Sequence, residues 1–421
     1  MERKEQKIDW LTVLIYMVFI LLGWLNIYAA SSKDPTVSLF DWAYNGGKQF
    51  WFVLAVGLVA VIVLNLNTRL LEFSSYIFYG VSLFMLVFVM LFGREVNGAK
   101  AWLEVGSMRI QPAEFMKVAT AMAVARYMSQ VNFNMRNQIQ LLTVVGFITL
   151  PFVLIIMQRD TGTALVFTAF VLMLFREGLS YLFMIVLLLV GIFSVLAIVL
   201  NKVLVIIAIG LLTILVFNFM FKRRYWVTHV LVAACLILMV LSIDFVVNNI
   251  LKEHQRTRIY ALFNPKLDPL GANWNTTQSI IAIGSGGVMG KGFLNGTQTK
   301  YDFVPQQTTD FIFCTVGEEH GWFGSVFVLG LFLVFMAQLL YVSEQAKSTY
   351  ARIFGYSIAS MIFFHVAVNV AMTIGLAPVI GIPLPFFSYG GSSLLSFTLM
   401  VFILLNFYSN RVNIFSTERI R

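Results

Sequence analysis

Residues 11–29 read LTVLIYMVFILLGWLNIYA, an apolar run without a single charged side chain. Such a run is close to the ~20 residues that a helix needs to cross a bilayer. Comparable runs recur along the chain and predict an all-α polytopic membrane protein with about twelve transmembrane helices. The predicted spans lie near residues 11–29, 50–66, 75–92, 114–128, 140–157, 162–175, 180–200, 203–221, 226–248, 311–341, 353–377 and 390–409.

The composition agrees with this fold class. Of the 421 residues, 59% are hydrophobic and 12% are charged, whereas soluble domains have about 25% charged residues. Soluble and disordered proteins are therefore excluded. The net charge of +9 is explained by cytoplasmic loops that face an anionic leaflet, and we expect no nucleic-acid partner. The two cysteines and four histidines predict neither a disulfide framework nor a structural metal site.

Lys and Arg concentrate in alternate short loops, which sets the predicted orientation. Both termini fall on the cytoplasmic side, and the strongest anchor is Lys222-Arg223-Arg224. A cleaved signal peptide is the alternative for the N-terminus, but the first apolar run is long for one. Residues 249–310 contain no span and lie outside, before the last three helices. A structureless loop of that length is uncommon and is usually functional.

Polar residues next to the fourth span form the first candidate site. Trp102 and Arg109 precede Glu114 and Lys117, which are spaced to share one helix face and neutralise each other. Charged groups within a membrane are costly and tend to be functional. The alternative is a structural ion pair with an interfacial Trp anchor.

Two aspartates form further candidates. Asp160 lies in the turn 158–163, QRDTGT, where capping of the next helix would also explain it. Asp310 lies where the polar loop enters a span, at 308–313, TTDFIF. A carboxylate at that boundary can serve as a general base or a cation ligand, and helix capping is again the alternative.

The loop 249–310 supplies the basic residues Arg256, Arg258 and Lys291. Its segment 284–292, GSGGVMGKG, resembles a phosphate cradle but departs from a nucleotide-binding P-loop. Glycines let backbone N–H groups approach an anion, and arginines bind phosphate in bidentate fashion. The alternative is a flexible linker.

Together these segments resemble the SEDS (shape, elongation, division and sporulation) family of RodA and FtsW proteins, and are closer to the RodA branch. The matching blocks are GAKAWLEVG (98–106), RIQPAEFMK (109–117), QRDTGTA (158–164), RTRIYALFNPKLDPLGANWNTTQSIIAIGSGGVMGKG (256–292), TTDFIFCTVGEEHGWFG (308–324) and NVAMTIGLAPVIGIPLPFFSYGGSS (369–393).

The resemblance implies a peptidoglycan glycosyltransferase that polymerises lipid II, the undecaprenyl-pyrophosphate-linked disaccharide, for cell-wall elongation and cell shape. It implies that Asp310 is catalytic and that the active site faces outward from the cytoplasmic (inner) membrane. The implied partners are a class B penicillin-binding protein and other membrane proteins of the elongation complex. A divalent cation, Mg²⁺ or Mn²⁺, is an optional cofactor. The substrate-binding residues expected are Trp102, Arg109, Glu114, Lys117, Asp160, Arg256, Arg258 and Lys291.

The chain also departs from the family pattern. The family core has ten spans, so we expect one SEDS domain over residues 1–421 with an extra transmembrane hairpin inserted at 178–252. The family's QPDLGT is QRDTGT here, with Arg159 in place of Pro, and its HTD is Thr308-Thr309-Asp310. No histidine can therefore assist Asp310 from the first position of that triplet.

Other functions remain open at this point. A lipid II flippase would also need charges such as Glu114 and Lys117 within the membrane. A non-catalytic scaffold that activates a penicillin-binding protein is a second alternative. An ion-coupled transporter is less consistent with the sequence, because no inverted repeat and no pair of interrupted helices is visible.

Overall fold

The computed structural model describes residues 8–31, 40–96, 98–106, 108–181, 183–186, 189, 192, 196, 202–219, 226–245 and 274–410. The predicted residues Arg256 and Arg258 and the anchor Lys222-Arg223-Arg224 lie outside this set. The chain is divided into two compact units. The first comprises Met1–Gly178 with Asn275–Arg421, and the second comprises Leu179–Trp274.

Helices dominate the described residues. In chain order they are α1 (Trp10–Ser31), α2 (Asn45–Asn65), α3 (Thr68–Phe92), α4 (Pro112–Met128), α5 (Gln138–Met157), α6 (Thr161–Val166), α7 (Phe170–Arg176), α8 (Lys202–Phe219), α9 (Trp226–Phe245), α10 (Trp274–Gly286), α11 (Thr297–Lys300), α12 (Ile312–Gln345), α13 (Thr349–Thr373) and α14 (Gly391–Ser409).

Among the described residues, 7 helices are long and apolar enough to cross a membrane: α1, α2, α3, α5, α12, α13 and α14. Each coincides with a predicted span, and the chain is a multi-pass membrane protein. Helices α4, α6, α7, α8 and α9 also lie on predicted spans but do not meet that standard. The total of about twelve spans therefore stays a prediction.

Helix α4 lies at the centre of the first unit. Nearly all of its residues are buried, and it contacts α3, α5, α13 and α14. Its many alanines let neighbouring helices approach closely, as small residues do in membrane proteins. Because protein rather than lipid surrounds it, α4 tolerates the charged pair Glu114 and Lys117.

The all-α prediction needs one correction, because the segment between α3 and α4 forms a small antiparallel sheet. Its strands are β1 (Arg94–Val96), β2 (Ala99–Val105) and β3 (Met108–Ile110), in the order β1-β2-β3. Gly98 and Gly106 have positive φ at the two reversals, a conformation that glycine adopts at little cost. Trp102 pairs with Arg94 in this sheet, and Glu104 pairs with Arg109.

Helix α12 is broken at Gly321, where φ is 64° and ψ is −156°. A break in a helix leaves backbone N–H and C=O groups without partners in the helix. The glycine-rich segment 286–292 supplies their partners, since four hydrogen bonds join it to the break. They run from Lys291 N to Glu318 O (3.0 Å), Gly292 N to Glu319 O (2.9 Å), Trp322 N to Gly287 O (2.9 Å) and Phe323 N to Val288 O (3.2 Å).

This arrangement changes the interpretation of two sequence features. The backbone N–H groups of Lys291 and Gly292 are already used at the helix break, so the comparison of this segment with a phosphate cradle is wrong for those groups. The described part of the long loop is also not structureless, because it contains α10 and α11.

In the second unit, α8 and α9 pack against each other around Val205, Ile209, Leu236 and Val240. Both helices fall within 178–252, where we predicted an inserted hairpin. The number of spans in this region, and the side on which residues 222–224 lie, stay predictions.

Candidate functional site

Asp310 lies two residues before α12, at the end of the long loop. Its side chain is half-buried. Its backbone carbonyl accepts a hydrogen bond of 2.8 Å from Nδ2 of Asn369 on α13. Burial raises the pKa of the Asp310 carboxyl to about 6, and the nearby Asp160 carboxylate contributes to that rise. A carboxylate with such a pKa suits proton abstraction near neutral pH.

Residues 380–384, which we call the strap, run beside Asp310. Gly381 has a φ of 77°, and a Cβ at this position would lie 3.3 Å from Oδ2 of Asp310. On another side, a Cβ on Gly162 would lie 2.5 Å from the carbonyl oxygen of Ile380. The strap therefore separates the Asp310 loop from the turn that carries Asp160, with backbone in close contact on both sides.

Two side chains of α13 hold the strap in place. Nδ2 of Asn369 donates to the carbonyl oxygen of Ile382 at 2.7 Å. Nδ1 of His365 lies 2.9 Å from the carbonyl oxygen of Pro383. His365 and Asn369 are one helical turn apart, so they present the same face. The strap and the Asp310 backbone consequently share one support.

Asp160 caps α6, as the sequence suggested. Its Oδ1 accepts from the backbone N–H of Thr163 at 3.1 Å. Its Oδ2 accepts from Thr163 Oγ1 at 2.9 Å and from Gln111 Nε2 at 2.6 Å. Burial raises the pKa of Asp160, while the hydrogen bonds from Thr163 and Gln111 oppose that rise. These three hydrogen bonds occupy most of the lone pairs of the Asp160 carboxylate.

Glu114 and Lys117 form the predicted ion pair, with 2.8 Å between Oε2 and Nζ. Both side chains are buried, and that of Lys117 is 0% exposed. Ser396 donates to Glu114 Oε2 at 3.0 Å, and Lys117 Nζ lies 3.1 Å from Nε2 of His365. The Lys117 ammonium also lies 4.9 Å from the centroid of the Phe397 ring. In this conformation Lys117 has no surface with which to contact a substrate.

The remaining predicted residues are placed differently. Trp102 is half-buried in β2. The Arg109 side chain is 55% exposed and pairs with Glu104 at 3.0 Å. Lys291 pairs at 2.7 Å with Glu318, whose carboxylate also accepts from the backbone N–H groups of residues 297–299. Lys291 therefore helps to neutralise the buried Glu318 carboxylate, whose hydrogen bonds hold the start of α11 in place.

Among the described residues, no group of three or more His, Cys, Asp or Glu side chains is arranged to hold a metal ion. Mg²⁺ is commonly bound through one or two carboxylates together with water and substrate phosphates, so the optional cation implied by the resemblance stays a prediction.

Sequence reasoning missed three residues that build the site: Gln111, His365 and Asn369. His365 and Asn369 could have been found from the sequence, because they lie four residues apart within an apolar span. Polar side chains there cost free energy unless they have buried partners. Gln111 lay inside a quoted motif, but the sequence could not show that its amide reaches Asp160.

Known proteins resemble this chain along most of its length. The family FTSW_RODA_SPOVE, described as cell cycle protein, matches residues 9–207 and 198–413. The Treponema pallidum protein named peptidoglycan glycosyltransferase RodA is 34% identical over 92% of this chain and 94% of its own length. The Escherichia coli K12 protein named peptidoglycan glycosyltransferase MrdB is 30% identical over 95% of this chain and 93% of its own.

A solved structure shares the fold. The subject of that structure is the structural coordination of polymerization and crosslinking by a peptidoglycan synthase complex. The matching chain has a TM-score of 0.69 and 25% identity, over 96% of this chain and 98% of that one. Sequence and fold thus agree, and this chain belongs to the FtsW, RodA and SpoVE family of cell cycle proteins.

Proposed function

We propose that this protein is a peptidoglycan glycosyltransferase that polymerises lipid II into glycan strands for cell-wall elongation and cell-shape maintenance. The names of its relatives support this activity. The observation that carries the proposal is the half-buried Asp310 carboxylate at the entry to a long apolar helix, with a pKa of about 6. An enzyme acting on a lipid-linked sugar needs its base at this boundary.

In the proposed reaction, Asp310 removes the proton from the 4-hydroxyl of the acceptor sugar. That oxygen attacks the anomeric carbon of the donor, and the bond from this carbon to the pyrophosphate breaks. The proton ends on the Asp310 carboxyl, and the undecaprenyl pyrophosphate leaves with the bonding electrons. A base with a pKa closer to the working pH abstracts this proton more effectively than an ordinary aspartate.

The leaving pyrophosphate needs positive charge. We propose Arg109 for direct contact with it, because the Arg109 side chain is exposed and lies just before α4. We assign Lys117 and Glu114 to positioning, because both are buried and paired. Arg256 and Arg258 remain proposed phosphate contacts, and Trp102 a proposed contact for the sugar. We propose that Asp160 holds the turn 158–163 near substrate. We propose that Lys291 does the same for the loop before α11.

We further propose an extracytoplasmic active site in the cytoplasmic membrane, both termini in the cytoplasm, and an inserted hairpin within residues 178–252. The predicted partners are a class B penicillin-binding protein and other membrane proteins of the elongation complex. The matched chain of a peptidoglycan synthase complex supports a crosslinking partner. A divalent cation, Mg²⁺ or Mn²⁺, stays an optional cofactor, and when bound it would supply positive charge to the leaving pyrophosphate.

The test is to incubate the purified full-length protein with lipid II and separate the products by size. We expect glycan strands from this chain alone. A parallel assay measures transfer of fluorescent lipid II across proteoliposomes that contain the same protein. Lipid transfer without strand synthesis would favour the flippase, and strand synthesis only after addition of a penicillin-binding protein would favour the scaffold.

A further inference from the structure

His365 is a buried polar residue that the proposed reaction does not use. It lies in the C-terminal half of α13, with 1% of its surface exposed. Nε2 faces the Lys117 ammonium at 3.1 Å, and Nδ1 faces the carbonyl oxygen of Pro383 at 2.9 Å. The ring therefore bridges the buried ion pair of α4 and the strap.

These partners fix the state of the imidazole. An ammonium group has only hydrogens to give, so Nε2 must accept from Lys117. The Pro383 carbonyl can only accept, so Nδ1 must carry the hydrogen and donate it. His365 is consequently neutral, with its hydrogen on Nδ1, and both ring nitrogens are satisfied.

A continuous set of contacts then leads from the ion pair to Asp310. Glu114 holds Lys117, Lys117 donates to His365, and His365 donates to the strap at Pro383. Two residues earlier in the strap, Gly381 lies against Oδ2 of Asp310. A strap that moved would change the space and the dielectric around that carboxylate.

We propose that His365 is a positioning residue for Asp310, acting through the strap. The inference rests on the proposed function, because it concerns the geometry of the proposed base. Asn369 supports the same strap by hydrogen bonds to Ile382 and to the Asp310 backbone. Loss of His365 should therefore loosen one end of the strap while the fold remains.

The central variants are His365→Leu, which removes both hydrogen bonds, and His365→Gln, whose amide can donate at one atom and accept at the other. Because misplacement of a reacting group by about 1 Å can cost roughly 100-fold in rate, we expect His365→Leu to lower kcat by up to about 100-fold with KM for lipid II nearly unchanged. His365→Gln should recover most of the rate. The control is His320→Leu, because His320 is exposed and lies on α12.

Two measurements separate positioning from a general loss of structure. The first is hydrogen exchange of the peptide covering 378–388, which should speed up in His365→Leu but not in His365→Gln, while the peptide covering 112–128 stays protected. The second is a double-mutant cycle with Lys117→Met. If both residues act along one path, the double variant should be scarcely slower than the worse single variant.

The inference is overturned if folded His365→Leu keeps the wild-type kcat, or if strap exchange is unchanged. It is equally overturned if the Gln and Leu variants lose the same activity. Should His365→Leu not fold, His365→Asn replaces it, because its shorter amide reaches only one partner. Failure of the proposed function is distinguishable, since the wild-type protein would then make no strands while the exchange difference could still be read.

Discussion

At the scale of single residues, the two carboxylates Asp160 and Asp310 are coupled by their charge. Burial sets most of the elevated pKa of Asp310, and Asp160 adds to it. Asp160 stays ionised more readily than its burial alone would allow, because Gln111 and Thr163 donate hydrogen bonds to it. The charge of Asp160 therefore helps set the pKa of Asp310.

The first prediction concerns this coupling. The proposed base Asp310 can accept a proton only when it is ionised, so activity should fall as the pH drops through about 6. Asp160→Asn removes a negative neighbour, which favours the ionised form of Asp310 and lowers its pKa. The acidic limb of the rate profile should then move to lower pH, whatever happens to the maximal rate.

The measurement is the normalised polymerisation rate across the acidic range for the wild type and Asp160→Asn. Glu104→Gln serves as the control, because Glu104 interacts with the exposed Arg94 and Arg109 rather than with Asp310. An acidic limb that stays in place or moves to higher pH would show that Asp160 does not act on the proposed base.

The second prediction contrasts a buried ion pair with an exposed one. Lys117→Met leaves Glu114 buried without its cation, which typically costs about 3–5 kcal/mol of stability.

Arg109→Lys keeps the charge but loses the guanidinium fork. Because exposed pairs contribute about 0–1 kcal/mol, this variant should keep its stability and raise KM for lipid II. Thermal unfolding measures the stability of the two variants, and steady-state kinetics measures their KM for lipid II. If Arg109→Lys lost stability but kept its KM, Arg109 would not belong to the substrate site.

At the scale of elements, the break in helix α12 organises the part of the first unit that precedes it in the chain, including the glycine-rich segment and α11. The glycine-rich segment supplies the hydrogen bonds that the break requires. Just before the break, Glu318 forms an ion pair with Lys291 and accepts hydrogen bonds from the backbone at the start of α11. The described part of the loop that leads to Asp310 is thus fastened to fixed structure.

The third prediction tests this break. Gly321 has a backbone conformation almost restricted to glycine, and a Cβ there would lie 2.4 Å from the backbone nitrogen of Gly290. Gly321→Ala should lower stability by at least about 1–3 kcal/mol. Gly330→Ala, in the same helix with nothing within 4 Å of the added Cβ, should be neutral or slightly stabilising. Thermal unfolding in detergent distinguishes them, and equal melting temperatures would mean that the break is not rigid.

Much of the element layout could be predicted from the sequence, because long apolar runs admit few structures in a membrane. The pair of Glu114 and Lys117 was predictable too, since spacing alone places both on one face. The sheet, the break at Gly321 and the bridge through His365 were not. The break and the bridge depend on contacts between segments distant in sequence, such as α4 with α13, that local pattern does not encode. The sheet is local, but two of its strands have only 3 residues and give no readable alternation.

At the scale of the whole molecule, the orientation in the membrane decides where the chemistry occurs. Seven of the described helices are long and apolar enough to match predicted spans, while the side on which each loop lies rests on the distribution of Lys and Arg. The residues around 222–224 carry the strongest charge cluster of any short loop.

The fourth prediction follows from that cluster. A cysteine placed at position 223 should react with a membrane-impermeant reagent only after the membrane is permeabilised. A cysteine at exposed position 302 should react in intact cells whose outer face is accessible. Cys235 and Cys314 are first replaced by Ser or Ala, so that only the introduced thiol is labelled. Labelling of position 223 from outside would reverse the topology of the second unit.

The most direct test of the central claim is strand synthesis by Asp310→Asn, which keeps the shape of the side chain and removes the base. Asp302→Asn, in the same loop but with an exposed side chain, is the matched control. We expect Asp310→Asn to fold, to insert into the membrane and to lose polymerisation by about 100-fold to 10,000-fold, while Asp302→Asn stays close to the wild type. Near wild-type strand synthesis by folded Asp310→Asn would contradict the assignment of Asp310 as the catalytic base.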